Sequence, residues 1–171
     1  NPVLIVNNKH LTRIISAFLN LHFKLVLLIL RQFPVFLIKL KEFLDYIQNS
    51  QSMNQLRGYE GEAASIYFGV FDELILQQKK DFFFQGRNRR PPLDNVNAML
   101  SFTYTLLTTQ ITSALEVVGL DPYVGYMHTE RPGRVSLSLD LIEELRAVMA
   151  DRFVLSLINK KIVNGKSFTK K

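Results

Sequence analysis

Residues 119–134, GLDPYVGYMHTERPGR, cannot continue a long helix, because Pro122, Gly125, Pro132 and Gly133 interrupt it. Proline lacks the amide proton a helix needs, and glycine loses the most backbone freedom when ordered. The chain must therefore turn here, with His128 in the middle of the turn. Gly119 is a natural C′ residue for the helix arriving. Ser136 or Ser138 can cap the helix leaving. A lone loop histidine is more often incidental than functional, so the flanking helices carry the argument.

The departing helix is expected from Leu139 to about Ile158. At about 3.6 residues per turn, Leu141, Leu145, Val148, Met149 and Arg152 share one side. Asp140, Glu143, Glu144 and Asp151 fall on the other. Like charges three and four apart repel. Such a stripe either faces water or holds a cation, and spacing alone leaves both open. The arriving helix starts behind the prolines with Asp94 as N-cap and runs to Val118. Val96, Leu100, Leu107, Ile111, Leu115 and Val118 give it an apolar, core-facing stripe. Thr103, Thr105, Thr108 and Thr109 are tolerated within it but prefer other settings.

Upstream, the polar stretch Asn49 to Gln55 reads as a linker or helix start. From Leu56 the apolar residues Leu56, Ala63, Ile66, Tyr67, Val70 and Leu74 recur at steps of three and four. This predicts a helix ending at Lys79, Lys80 and Asp81. Glu60 has Ala63, Ala64 and Tyr67 as same-face neighbours, which leaves room for another segment or an ion. A solvated glutamate on an ordinary helix has the same pattern. FFFQ (residues 82–85) suits a short strand or a buried loop. GRNRRPP (residues 86–92) is a loop carrying Arg87, Arg89 and Arg90. Arginine forks match phosphate oxygens, and a solvated basic loop is the other reading.

Residues 1–41 contain no acid, only Lys9, Arg13, Lys24, Arg31, Lys39 and Lys41 between apolar runs such as LVLLIL (residues 25–30). A membrane span needs about 20 apolar residues; the charges and Pro34 favour a buried helical hairpin or a basic surface helix. No signal peptide is expected from the start Asn-Pro-Val. The net charge of +6 suits a polyanion, nucleic acid or anionic membrane, and fits an incidentally basic protein too. Absence of cysteine excludes disulfides and thiolate zinc sites.

Four stretches carry a resemblance: LRGYEGEAASIYFGVFD, FQGRNRRPPLDNVNAMLSFTYTLL, GLDPYVGYMHTERPGRVSLSLDLIEELR and ADRFVLSLIN. In order and spacing, from about Asn54 to Thr169, they resemble the C-terminal helical domain of the CRISPR-associated integrase, most closely its type I variety. That family is a metal-dependent endonuclease that inserts spacers during CRISPR adaptation, an antiviral defence. The resemblance implies an all-α catalytic domain over residues 54–171, preceded by an atypical basic, apolar leader over residues 1–53. It implies that the family's N-terminal β-sandwich domain is lacking, so the chain is expected to be a truncated catalytic domain. The alternative is a catalytically incompetent DNA-binding remnant or accessory subunit.

By the same resemblance, the glutamate of the family's Arg-Gly-x-Glu-Gly context corresponds to Glu60, the loop histidine to His128, and the third ligand to Glu143. Asp140 lies in or beside the metal shell. Two carboxylates and an imidazole suit Mg²⁺ or Mn²⁺. Arg87, Arg89, Arg90, Arg131 and Arg134 are the expected DNA-phosphate contacts. The implied partners are double-stranded DNA, as spacer precursor and repeat, a small second CRISPR-associated protein, and a second copy of the chain; the implied location is the cytoplasm.

Overall fold

The computed structural model describes residues 34–129 and 131–169. The described residues form helices joined by loops, with no strand among them. Helix α1 spans Pro34–Gln48, with proline at the first helical position, where its missing amide proton costs nothing. Helix α2 spans Met53–Gly69; the Ser52 side chain caps it by accepting from the Gln55 amide at 3.3 Å. Helix α3 spans Asn95–Val117 and is capped by Asp94, which accepts from the Asn97 amide at 2.7 Å. Helix α4 is Ser136–Leu145 and helix α5 is Arg152–Asn159. Between them the chain widens into a π-turn, Arg146–Asp151.

Most of the core lies between α1, α2, α5, the π-turn and the first part of α3. Phe43 and Ile47 of α1 join Leu56, Tyr67, Phe71, Val96, Leu100, Val154 and Ile158 in one buried cluster. Helix α1 therefore packs into the same body as α2, so the described part of residues 1–53 is continuous with the helical domain. The LVLLIL run lies outside the described residues. A second cluster, Ile111, Leu115 and Ile142, fixes α4 against the far half of α3. No helix among the described residues is long and apolar enough to cross a membrane.

Several expectations change. The helix from Leu56 stops at Gly69, about ten residues early, and gives way to a 3₁₀ turn at Phe71–Leu74. That turn sends Phe71 and Leu74 inward, and Asp72 then accepts from the Phe84 amide at 2.7 Å. FFFQ is accordingly a buried loop. Its Phe82 and Phe84 are buried while Phe83 is exposed, and Phe84 lies 4.9 Å from the Phe71 ring. Neither Ser136 nor Ser138 caps α4: Ser136 is its first residue, and no side chain caps the end. The expected helix from Leu139 to about Ile158 runs on without a gap to Asn159, but widens into the π-turn at Arg146–Asp151. Its faces are also reversed: Glu143 and Asp151 are buried, whereas Leu145, Met149 and Arg152 are exposed. The acids can be buried because each has found donors, and those donors build the site.

Phe71 is fully buried among aromatic rings. Phe71→Ala is expected to cost about 3–5 kcal/mol in urea denaturation, against about 0.5 kcal/mol or less for exposed Phe102→Ala. Equal losses would contradict the placement of the core.

Candidate nucleic-acid and metal site

One carboxylate takes three successive amides of the turn expected from the glycines and prolines. Asp140, in the second turn of α4, accepts from three successive backbone amides, Tyr126 at 2.6 Å, Met127 at 3.0 Å and His128 at 2.8 Å. It also lies 2.8 Å from His128 Nδ1. Burial works against its charge, yet the His128 ring and these amides together hold it below the ordinary aspartate range. With Nδ1 directed at Asp140, the ring's other nitrogen, Nε2, is left for a ligand. Helix α2 grips the same loop from the other side, where Arg57 Nε donates to the Met127 carbonyl at 2.6 Å. Arg57 lies one helical turn before Glu60, so this bond brings the Glu60 face and the His128 loop together. Gly125 is needed where the loop passes α4, since a Cβ there would lie 2.5 Å from Ser136 Cβ.

Glu60, His128 and Glu143 line one groove of about 1040 Å³. Gly61 and Ala64 form part of its wall on α2, and Thr105, Thr108 and Thr109 line it from α3. These threonines satisfy their hydroxyls within α3 itself, for example Thr108 on the Tyr104 carbonyl at 2.8 Å. That explains their tolerance mid-helix.

Arg146 lies between the two glutamates. Its Nη1 donates to Glu143 Oε1 at 3.0 Å, and Nη2 lies 2.5 Å from Glu143 Oε2 and 3.7 Å from Glu60 Oε1. The Oε2 contact is an ion pair out of line for a hydrogen bond, and that buried oxygen accepts none. Burial raises Glu143 despite Arg146, and the charge of Glu60 raises it further. Burial opposes the charge on Arg146 as well, yet Glu143 foremost holds it above the ordinary arginine value. The pair thus gains less than its contacts suggest, as expected for charges removed from water. Glu144 is half-buried, and burial, then the Glu143 charge, pushes it up to about 7.

Beneath Arg146 is a polar network that helical periodicity does not reveal. Tyr67 donates to Asp151 Oδ2 at 2.9 Å, and Tyr104 donates to Asp151 Oδ1. The Tyr104 ring carries two guanidiniums, Arg87 at 5.2 Å and Arg146 at 5.8 Å from its centroid. Tyr67 and Tyr104 look in sequence like members of helical stripes; their hydroxyls are the available hint of a buried acceptor.

Arg87 differs from the other arginines expected on phosphates. Its guanidinium donates to Asn97 Oδ1 at 2.8 Å, to Ser101 Oγ at 3.1 Å and to the Asn88 carbonyl. Burial lowers its pKa. Arg87 therefore ties the GRNRRPP loop to α3 while also lining the groove. Arg89, Arg90 and Arg134 line the groove, with Arg89 and Arg90 exposed. Arg131 is exposed on the histidine loop.

The donor set suits a hard divalent ion: two carboxylates from different helices, an imidazole with one nitrogen fixed, and a buried carboxylate oxygen lacking a hydrogen bond. Asp140 is already fully engaged by the loop, so it belongs beside such an ion. Among the described residues, no three His, Asp or Glu side chains are gathered into a ready-made metal cluster; Arg146 supplies the positive charge between the carboxylates.

Asp151 is fully buried, and burial raises it to about 6 although both tyrosines and Arg146 pull it down. An unfolded aspartate titrates near 3.9. The folded form therefore holds its proton to higher pH, so this stabilisation is complete below about pH 4 and lost above about pH 6. Asp151→Asn, neutral throughout, is expected to show a shallower fall in urea stability across that window. An unchanged slope would contradict the assignment.

Comparison with known proteins places the chain in a family. The family described as CRISPR associated protein Cas1 matches residues 31–171. The chain is 58% identical over 120 residues to a CRISPR-associated endonuclease Cas1 of Rhodospirillum rubrum, covering 70% of this chain and 35% of that protein. It is 47% identical over 133 residues to the CRISPR-associated endonuclease Cas1 of Leptospira interrogans, covering 78% and 52%. The chain thus spans between about a third and a half of the length of these relatives. A CAS1 protein from Thermotoga maritima superposes with a TM-score of 0.85 at 28% identity, covering 96% of this chain and 52% of that one. A casposase bound to integration product superposes at 0.82 and 28% identity, covering 96% and 47%.

Proposed function

The chain belongs to the CRISPR-associated Cas1 family, and from that premise we propose that it is the catalytic helical part of a DNA endonuclease and integrase of CRISPR spacer acquisition. The observation that carries this reading is the meeting of Glu60, His128 and Glu143 in one groove edged by arginines. Its reactions are phosphodiester cleavage by water and transesterification by a DNA 3′-hydroxyl. Neither needs a protein nucleophile.

Glu60, His128 and Glu143 would hold one Mg²⁺ or Mn²⁺. When bound, the ion supplies positive charge to the oxygens of the phosphodiester. The remaining work belongs to the side chains. Asp140 accepts from Nδ1–H and so selects the tautomer that leaves Nε2 with its lone pair for a ligand. Arg57 and Asp140 hold the histidine loop against α2 and α4. Arg89, Arg90, Arg131 and Arg134 bind phosphates, with Arg87 as scaffold for the first two. Double-stranded DNA is the proposed substrate. A small second CRISPR-associated protein and a second copy of the chain are the proposed partners, in the cytoplasm. Superposition on the casposase with its integration product supports the transesterification arm.

Nicking of supercoiled DNA by the purified chain is expected only with Mn²⁺ or Mg²⁺. Glu60→Ala or Glu143→Ala should each lower it by about a hundredfold or more, and Glu144→Ala should retain it. DNA binding without metal-dependent nicking would favour the accessory-subunit reading.

Arg89→Ala with Arg90→Ala should weaken binding to all sequences alike. It should also reduce the slope of log affinity against log salt by roughly 2, because each phosphate neutralised on duplex DNA contributes about 0.9. An unchanged slope would remove these arginines from the DNA path.

A further inference from the structure

Arg146 does more than neutralise Glu143. A divalent ion joining Glu60 and Glu143 would have to sit within about 2.0–2.6 Å of a carboxylate oxygen of each. Arg146 Nη2 already lies 2.5 Å from one carboxylate and 3.7 Å from the other. Guanidinium and ion cannot share that space, and their like charges repel strongly at such separations in a partly dry groove. We propose that Arg146 is a resident counter-cation which an entering divalent ion displaces, and that the face of Tyr104, backed by Asp151, receives the displaced guanidinium.

The receiving side is already built. Arg146 Cζ lies 5.8 Å from the centroid of the Tyr104 ring, and the Tyr104 hydroxyl is fixed on Asp151. An aromatic face attracts a guanidinium, more strongly where water is excluded. Arg146 begins the π-turn and Asp151 ends it, so the mobile charge and the carboxylate that attracts it share one six-residue element. Arg87 occupies the same ring but is tied to Asn97 and Ser101. It limits how far Arg146 can travel and confines the movement to the ring.

Without the ion, Arg146 keeps two carboxylates from different helices in register. Ion binding is weaker than the donors alone would give, because it must displace this partner. The inference rests on the proposed reading that Glu60, His128 and Glu143 hold the ion, and one experiment separates the two.

Mn²⁺ is titrated calorimetrically into the parent chain, Arg146→Met and Arg146→Lys, and each is melted with and without Mn²⁺. Arg146→Met is expected to bind Mn²⁺ about tenfold tighter or more, to melt lower than the parent without metal, and to recover with it. Arg146→Lys, a point charge without the fork, should fall between. It supplies the answer if Arg146→Met does not fold without metal. If the parent binds Mn²⁺ and neither substitution tightens it, displacement is wrong and the ion-site reading stands. If no form binds Mn²⁺ saturably, both are overturned.

Discussion

The site depends on the carboxylate of Asp140. Three consecutive amides of a loop without regular structure converge on it, and the His128 ring lies against the same oxygen as the His128 amide. A loop with Gly119, Gly125 and Gly133 is entropically expensive to order, and hydrogen bonds to a charged group contribute roughly 1.5–3 kcal/mol each before non-additivity. One side chain on a packed helix thereby fixes both the path of the loop and the tautomer of its histidine. Arg57 completes the arrangement from α2. Loss of Asp140 would loosen the loop and the imidazole together; on the proposed reading this leaves Glu60 and Glu143 without their third ligand.

The second constraint is the burial of acids along α4 and the π-turn. An amphipathic helix in water would turn these residues outward. Here three of them have donors: loop amides for Asp140, Arg146 for Glu143, and two tyrosine hydroxyls for Asp151, while Glu144 Oε2 is buried with no hydrogen bond. Such burial is costly, and the raised pKa values of Glu143, Glu144 and Asp151 register that cost. Leu145, Met149 and Phe153 are correspondingly exposed. Stability alone would have favoured the opposite arrangement. On the proposed reading, the negative charge is retained because a cation and a polyanion must meet in this groove.

Much of the fold is legible in the sequence. Asp94 as cap, the end of α3 before Gly119, and most of the stripe follow from local rules and hold in the structure: Val96, Leu100, Ile111 and Leu115 are buried and Leu107 partly so, whereas Val118 is exposed. The interruption of helix by the histidine loop holds too. The end of α2 is hidden because Val70 and Leu74 keep the helical period through a 3₁₀ turn. The reversal of the α4 faces is invisible to periodicity, which measures polarity and knows nothing of partners far along the chain. Tyr67 and Asp151 are 84 positions apart, and Arg57 and Met127 are 70 apart. Glu60, His128 and Glu143 are picked out by resemblance, while spacing alone leaves each of them ambiguous. Arg146 is the hardest to find, since an arginine three residues after a glutamate is ordinary on any helix surface.

The central claim is that Glu60, His128 and Glu143 form one ion site. Anomalous diffraction at the manganese edge, from crystals of this chain soaked in Mn²⁺, tests it most directly. The expected result is one peak bounded by a Glu60 oxygen, His128 Nε2 and a Glu143 oxygen, with Asp140 still on the loop amides and Arg146 withdrawn onto Tyr104. A groove without a peak, or a peak held by other side chains while Arg146 stays between the two glutamates, would contradict it.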